Sequence, residues 1–179
     1  MIVKTYLSAN DVTRDSFLLA RRILDSGFRP DAIIALWRGG SPVGIAVQEF
    51  LRVKGIDCYH TIVKCSAYTG IEQMQEPVIE NMDYVHAVLN RESRVLVVDD
   101  IFDTGRTARC IRDELNKSTP HVRFAMPFFK PSRNTTDLLP DYYIHETENW
   151  LVFPHELMDL TPEEIHTKDP YVHDLLFNQ

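Results

Sequence analysis

The hydrophobic and polar positions of the chain follow two patterns. Residues 32–37 and 95–98 are continuous apolar runs, which are typical of parallel strands that are covered on both faces. Around them, residues at about 11–26, 41–54 and 107–117 show the apolar spacing of amphipathic helices. Strands that alternate with helices predict an α/β fold with a mainly parallel central sheet flanked by helices.

Capping residues sharpen the expected ends of the helices. Gly27 and Gly55 each follow a helical segment, where a glycine commonly ends a helix in the left-handed conformation. Ser41 is expected to be the N-cap of the second helix, with Pro42 at its first position. Thr161 and Glu164 have the spacing of a capping box and predict a further helix start.

The remaining segments predict further strands and a long connection. Residues 58–63, 122–129 and 142–144 have the short apolar character of strands. The polar stretch 66–82 has weak periodicity and the length of a flexible functional loop. In a parallel sheet, ligands bind beyond the carboxyl ends of the strands, and the chain carries its most unusual motifs at two such ends.

Composition narrows the class of protein. The 179 residues, of which 44% are hydrophobic and 25% charged, predict a single domain spanning residues 1–179. No apolar run approaches the ~20 residues of a membrane helix, and the N-terminus has no signal-peptide pattern. The net charge of −7 argues against a nucleic-acid partner. Cys58, Cys65 and Cys110 lack metal-ligand spacing and are expected to be free thiols in a cytoplasmic protein.

An acidic turn follows the apolar run 95–98. Three carboxylates, Asp99, Asp100 and Asp103, lie within five residues, and burying them unpaired would be costly, so cations or hydroxyl groups are expected nearby. Residues 104–107, Thr-Gly-Arg-Thr, open a helix, whose N-terminal N–H groups suit a phosphate. Carboxylates for ribose hydroxyls followed by a phosphate cradle describe a site for a ribose 5-phosphate group.

Simpler explanations account for only part of this run. A lone Asp-Asp pair at a strand end often does no more than cap a turn. A nucleotide-hydrolase strand also ends in acids, but the chain has no G-x-x-x-x-G-K-[ST] motif. A phospho-acceptor receiver domain also clusters acids at strand ends, but it does not need the hydroxyl- and glycine-containing turn.

The complete run 95–107 resembles the phosphoribosyl-pyrophosphate motif of the type I phosphoribosyltransferase family. The resemblance extends over about residues 31–157 and points to the 6-oxopurine branch, which acts on hypoxanthine, guanine or xanthine. Arg38, Gly39 and Gly40 resemble the family's pyrophosphate loop, and Ser66 and Tyr68 resemble the start of its flexible loop. Residues from about 140 to 179 resemble the small hood that covers the purine.

The resemblance implies an enzyme of purine salvage. It would transfer 5-phosphoribosyl from phosphoribosyl pyrophosphate to the purine base, using Mg²⁺, and release pyrophosphate and the nucleotide. A homodimer or higher homo-oligomer is also implied. A non-catalytic regulatory module of the same fold is the alternative. The intact Asp103 and the 66–82 loop favour the enzyme.

The resemblance also assigns roles to individual residues. Asp103 would exchange a proton with the purine ring, and the peptide bond between Trp37 and Arg38 is a candidate for the cis form. Two departures concern pyrophosphate: Arg38 stands where the best-known members have lysine, and the tail offers only Lys168 where some members have an arginine. The other implied contacts are ribose and Mg²⁺ at Asp99 and Asp100, the 5′-phosphate at Thr104, Gly105, Arg106 and Thr107, pyrophosphate at Arg38 and Gly39, the purine at Lys130, Trp150 and Leu151, and a second Mg²⁺ at Glu156.

Overall fold

The computed structural model describes residues 4–66, 69–70, 73–74 and 77–178. The chain divides into two compact units, and the larger, Asn10–Glu148, is called the large unit below. The small unit consists of Met1–Ala9 and Asn149–Gln179. The prediction of a single domain, with a C-terminal hood, stays a prediction.

The described strands and helices are numbered in chain order. The strands are β1 (Lys4–Tyr6), β2 (Ala32–Trp37), β3 (Tyr59–Ser66), β4 (Thr69–Gly70), β5 (Gln73–Met74), β6 (Val78–Glu80), β7 (Val95–Val98), β8 (Ile101–Phe102), β9 (Val122–Ala125), β10 (Phe128–Phe129), β11 (His145–Glu146) and β12 (Trp150–Val152). The helices are α1 (Ala9–Asp25), α2 (Gly40–Val53), α3 (Met82–Val88), α4 (Arg106–Leu115), α5 (Pro162–Lys168) and α6 (Pro170–Phe177).

A five-stranded sheet forms the centre of the large unit, in the order β6-β3-β2-β7-β9. Strands β3, β2, β7 and β9 are parallel and β6 is antiparallel. All four residues of β7 are completely buried, as their apolar run predicts for a central strand. Helix α2 packs on β2 and β7, and α4 packs on β9. The predicted α/β class with a mainly parallel sheet is therefore confirmed.

A second, three-stranded parallel sheet continues from the carboxyl ends of two strands of the five-stranded sheet. Its order is β11-β10-β8, and β8 and β10 follow β7 and β9 after only two residues each. The prediction of one strand over 122–129 is therefore wrong. Pro127 separates β9 from β10, and a proline cannot donate to a strand ladder. The chain uses this break to turn from the large sheet into the small one.

Two other predicted elements differ in the structure. Residues 142–144 do not form a strand; Tyr142 makes a single bridge to Ala125, and the strand follows at β11. Helix α2 begins at Gly40, with Gly39 as its N-cap, so the prediction of Ser41 as the N-cap is wrong. Ser41 lies in the first helical turn, and its buried Oγ makes no hydrogen bond to the described residues.

Several expected boundaries are confirmed. Gly27 and Gly55 have φ angles of +79° and +80° directly after their helices, as expected for glycines that end a helix. Helix α3 lies just beyond the segment 66–82 and has no counterpart among the predicted elements. Within that segment, Ser66 ends β3, and Tyr68 lies outside the described residues. The flexible-loop assignment therefore stays a prediction.

The small unit contains a two-stranded parallel sheet and two helices. β1 pairs with β12, so residues 4–6 and 150–152 form one sheet. Thr161 and Glu164 form the predicted capping box at the start of α5. Among the helices that the structure describes, none has the length and apolar character needed to cross a membrane.

Candidate active site

The two consecutive acids after β7 form the centre of the site. Asp99 is half-buried, and its carboxylate accepts a hydrogen bond from the backbone N–H of Asp100 at 3.0 Å. Burial raises the pKa of Asp99 well above its usual range, and the neighbouring charge of Asp100 raises it further. A cation or a hydroxyl donor at this position would relieve both effects.

The Arg38-Gly39-Gly40 loop packs directly on these acids. A Cβ atom on Gly39 would overlap the carboxylate of Asp100, and one on Gly40 would meet the backbone of Val98 and Asp99. The close approach follows from topology, because β2 and β7 are parallel neighbours and their carboxyl ends lie side by side. The Trp37–Arg38 peptide bond is cis, as considered from the sequence. Arg38 itself is exposed.

The predicted phosphate cradle opens helix α4. Gly105 is the N-cap residue with φ +79°, a conformation that favours glycine. The backbone N–H of Arg106 approaches Thr104 Oγ1 at 3.5 Å. The acids and the cradle share one pocket of about 210 Å³. The residues that line it are Asp99, Asp100, Ile101, Phe102, Asp103, Thr104, Gly105, Thr107, Ala108 and Met126.

Asp103 forms an ion pair with Arg133, which could not be predicted from the residues next to Asp103 in sequence. The Nε atom of Arg133 lies 2.8 Å from Asp103 Oδ1. This oxygen is buried and accepts no geometrically aligned hydrogen bond from the described residues, so the contact is an electrostatic one. The two residues are thirty positions apart. The one local feature that could have pointed to Arg133 is that it follows the predicted purine-binding Lys130 by three residues.

Lys130 follows β10 and is buried, with 5% of its surface exposed. Its backbone N–H donates to Phe102 O at 2.9 Å, which ties it to the strand that leads into Asp103. β10 lies between β8 and β11. Lys130 is therefore not a solvated lysine at the end of an edge strand, because β10 is central in its sheet and the residue is covered.

Residues 131–138 form a brace, as we name this segment, against the phosphate cradle. Thr135 donates to Thr104 O through its backbone N–H at 3.0 Å and through its hydroxyl at 3.1 Å. Thr136 donates to Asn134 Oδ1 at 2.9 Å, and both side chains leave no room for a Cβ on Gly105. Arg109 of α4 and Asp137 also form an ion pair. The brace therefore contacts the cradle from backbone and side chain alike.

The remaining predicted site residues lie in the small unit. Trp150 is 46% exposed and Leu151 is buried, both on β12. A Glu156 carboxylate oxygen accepts from the Phe153 N–H at 3.0 Å. The Lys168 ammonium donates to the backbone oxygens of Phe153 and Glu156, so both charged groups stabilise the same turn. Purine and metal contacts at these residues stay predictions.

The donor set at the acidic pair suits Mg²⁺. The described residues contain no cluster of three or more metal-ligating side chains, so a site made wholly of protein ligands is not formed by them. Mg²⁺ usually binds one or two carboxylates and keeps waters and substrate phosphates as its other ligands. Asp99 and Asp100, both half-buried and adjacent in charge, fit this role.

Comparisons with known proteins agree with this geometry. A model of the phosphoribosyl transferase domain family matches residues 4–158. A xanthine-guanine phosphoribosyltransferase of Idiomarina loihiensis is 30% identical over 153 residues, covering 85% of this chain and 86% of that protein. A corresponding enzyme of Desulfotalea psychrophila is 30% identical over 154 residues, covering 84% and 86%.

A solved structure supports the same conclusion. The crystal structure of a purine phosphoribosyltransferase from Pyrococcus horikoshii superimposes with a TM-score of 0.73 at 29% identity, covering 89% of this chain and 98% of that one. These relatives confirm the resemblance to the 6-oxopurine branch, and they favour an enzyme over a non-catalytic module. The chain belongs to the phosphoribosyltransferase family.

Proposed function

We propose that this protein transfers a 5-phosphoribosyl group from phosphoribosyl pyrophosphate to a 6-oxopurine base in purine salvage. The observation that carries the proposal is the shared pocket. It is lined by the acids and by residues of the proposed phosphate cradle, which follow one another along a single turn. The relatives named for xanthine and guanine support the choice of base. Hypoxanthine, guanine and xanthine all remain candidates for the preferred substrate.

The phosphoribosyl half of the substrate would bind along the acidic turn. Asp99 and Asp100 would hold the ribose hydroxyls, and the N–H and hydroxyl groups of residues 104–107 would bind the 5′-phosphate. When bound to the acidic pair, Mg²⁺ would supply positive charge to the leaving pyrophosphate. Arg38 and the backbone at Gly39 would contact the same pyrophosphate, since a guanidinium can bind phosphate oxygens in a bidentate manner.

The base would be recognised and activated from the next strand. The buried Lys130 ammonium, which offers donors and no acceptor, would donate to the 6-oxo oxygen. Asp103 would take the proton from the purine ring nitrogen as that nitrogen bonds to the ribose and pyrophosphate leaves. Trp150 would stack on the base next to Leu151, and Glu156 would ligate a second Mg²⁺. The loop with Ser66 and Tyr68 would exclude water during transfer.

Two further parts of the proposal concern the cellular location and the oligomeric state of the protein. Cys58, Cys65 and Cys110 form no disulfide bond, which supports a reducing, cytoplasmic setting. Burial raises the pKa of Cys58 to about 11 and that of Cys65 to about 12, so neither thiol is readily ionised. A homo-oligomer is proposed from the family resemblance, and light scattering of the purified protein tests it.

One steady-state assay tests the proposed function. Hypoxanthine, guanine, xanthine and adenine are each supplied with phosphoribosyl pyrophosphate and Mg²⁺, and nucleotide formation is measured. Turnover of at least one 6-oxopurine with adenine much poorer is expected. Absence of turnover for all three 6-oxopurines would contradict the proposal.

A binding experiment tests the metal and ribose assignments separately. Calorimetry with phosphoribosyl pyrophosphate is carried out with and without Mg²⁺ on wild type, Asp99→Ala and Asp100→Ala. We expect Mg²⁺ to strengthen binding to wild type and both substitutions to weaken it. Wild-type affinity in both variants would remove the acidic pair from the ribose site.

A further inference from the structure

Arg133 occupies a fixed position beside Asp103. It ends a single 3₁₀ turn, residues 131–133, in which its backbone N–H donates to Lys130 O at 3.2 Å. Ser132, in the same turn, donates to the carboxylate of Glu148 through both its backbone N–H and its hydroxyl. The backbone that carries Arg133 is therefore held from both sides, and the guanidinium of Arg133 lies beside the Asp103 carboxylate.

The partner of Arg133 is held by the same segment. Thr135 binds the carbonyl of Thr104 through two hydrogen bonds, at 3.0 and 3.1 Å, and Thr104 directly follows Asp103. Both ends of the Asp103–Arg133 contact are thus connected through residues 131–135. A contact whose two ends share one support keeps its geometry better than one between independent loops.

A proton acceptor needs its carboxylate within hydrogen-bonding reach of the group it serves, about 2.6–3.2 Å. A half-exposed aspartate, with 35% of its side chain accessible, can rotate away from that position. Arg133 opposes this rotation because its cation lies 2.8 Å from Oδ1. Arginine keeps its own proton at every accessible pH, so its contribution is orientation and charge, with the proton passing to Asp103.

We propose that Arg133 is a positioning residue, which holds the Asp103 carboxylate ready to accept the purine proton; this inference rests on the proposed function. The same turn carries Lys130, so the group that would bind the base and the group that would orient the proton acceptor are three residues apart. Base binding at Lys130 and proton transfer at Asp103 are thereby linked through one short piece of backbone.

A purely structural ion pair would behave differently from a positioning residue. Arg133 is 48% exposed, and exposed ion pairs contribute at most about 1 kcal/mol to stability. Its removal therefore leaves the fold intact, and any large kinetic effect arises at the site. An effect that acts through Asp103 also disappears once Asp103 can no longer accept a proton.

The test is a double-mutant cycle on the full-length protein. Arg133→Gln is expected to lower kcat roughly 10- to 100-fold, as slight misplacement of a reacting group can, with unchanged affinity for phosphoribosyl pyrophosphate. Arg133→Lys should recover part of kcat because it restores the charge. In an Asp103→Asn background, Arg133→Gln should cause no further loss of kcat.

Arg94→Gln is the matched control. Arg94 pairs with Asp31 at 2.9 Å, is 46% exposed and precedes β7 at the opposite end of that strand, so its loss should leave kcat unchanged. Unaltered kcat in Arg133→Gln, or an equal loss in the presence and absence of Asp103, would overturn the inference while the proposed function stands. A wild-type protein without 6-oxopurine turnover would overturn both.

Discussion

Two turns of the large unit contact each other at the candidate site, and they differ in how their contacts are made. In the acidic turn, residues 99–107, the functional groups are consecutive in sequence and follow a buried strand. In the second turn, residues 130–138, the contacts to the acidic turn join residues that are far apart along the chain, such as Arg133 and Asp103. The function of a motif of consecutive residues can be predicted from the sequence, whereas long-range contacts can be identified only in the folded structure.

The two turns also differ in burial and charge. The acidic turn begins with the half-buried Asp99, whose pKa is raised by desolvation and by the neighbouring Asp100. The second turn begins with a buried lysine, Lys130, followed by an exposed ion pair. This contrast predicts that substitutions in the first turn mainly affect transfer and phosphoribosyl binding, while those in the second mainly affect the base and the orientation of Asp103.

The largest expected effect is on the proton acceptor of the acidic turn. Asp103→Asn keeps the size of the side chain but cannot take a proton, so kcat should fall roughly 10²- to 10⁴-fold. Affinity for phosphoribosyl pyrophosphate should change much less. Steady-state kinetics and calorimetry measure the two quantities. An unchanged kcat with every base would remove Asp103 from the mechanism.

The next largest effect tests whether Lys130, in the second turn, recognises the base. Lys130→Ala removes a charged donor, and hydrogen bonds of this kind contribute about 1.5–3 kcal/mol, so kcat/KM for the preferred 6-oxopurine should fall roughly 10- to 150-fold. The margin over adenine should shrink as well. Lys117→Ala, which alters an exposed lysine paired with Glu114, is the control. Equal selectivity in both variants would contradict base recognition by Lys130.

Substitutions at the adjacent Gly39 and Gly40 are expected to have different effects, one on ligand binding and the other on stability. Gly39→Ala places a methyl group against the movable carboxylate of Asp100, so binding of Mg²⁺ and phosphoribosyl pyrophosphate should weaken about tenfold while stability is retained. Gly40→Ala meets backbone atoms of Val98 and Asp99, which cannot move aside, and should lower the unfolding free energy by about 1–3 kcal/mol.

Calorimetry and denaturant unfolding on both glycine variants measure these two quantities. If the two variants lose stability equally, the carboxylate of Asp100 does not yield to the added methyl group. The proposed close approach of the pyrophosphate loop to a movable carboxylate would then be wrong.

The smallest effect concerns the brace. Thr135→Val removes the hydroxyl bond to Thr104 O but keeps the backbone bond, so the unfolding free energy should fall by about 1 kcal/mol and kcat only slightly. Thr167→Val, which removes a similar bond to Glu163 O at 2.9 Å in α5, is the control. A kcat loss as large as that of Asp103→Asn would show that the Thr135 hydroxyl, rather than Arg133, positions the acid.

Part of the fold and the site could be predicted from local sequence. The apolar run of β7, the acids after it and the Gly105 turn each depend on neighbours within a few residues, and all are found where expected. The glycines that end α1 and α2 were predictable for the same reason. The N-cap is Gly39 instead of the predicted Ser41 because Gly40, with no Cβ, lets the helix start two residues earlier, against the backbone of Val98.

The sequence by itself determined the strand–helix alternation and the acidic turn, because apolar periodicity and consecutive polar groups are local properties. Only the tertiary structure decided that β9 breaks at Pro127 into a second sheet, that β1 pairs with β12, and that Arg133 meets Asp103. These contacts join residues from 30 to about 145 positions apart. Which residues pair over these distances depends on how the sheets and turns pack, and the local sequence pattern does not determine it.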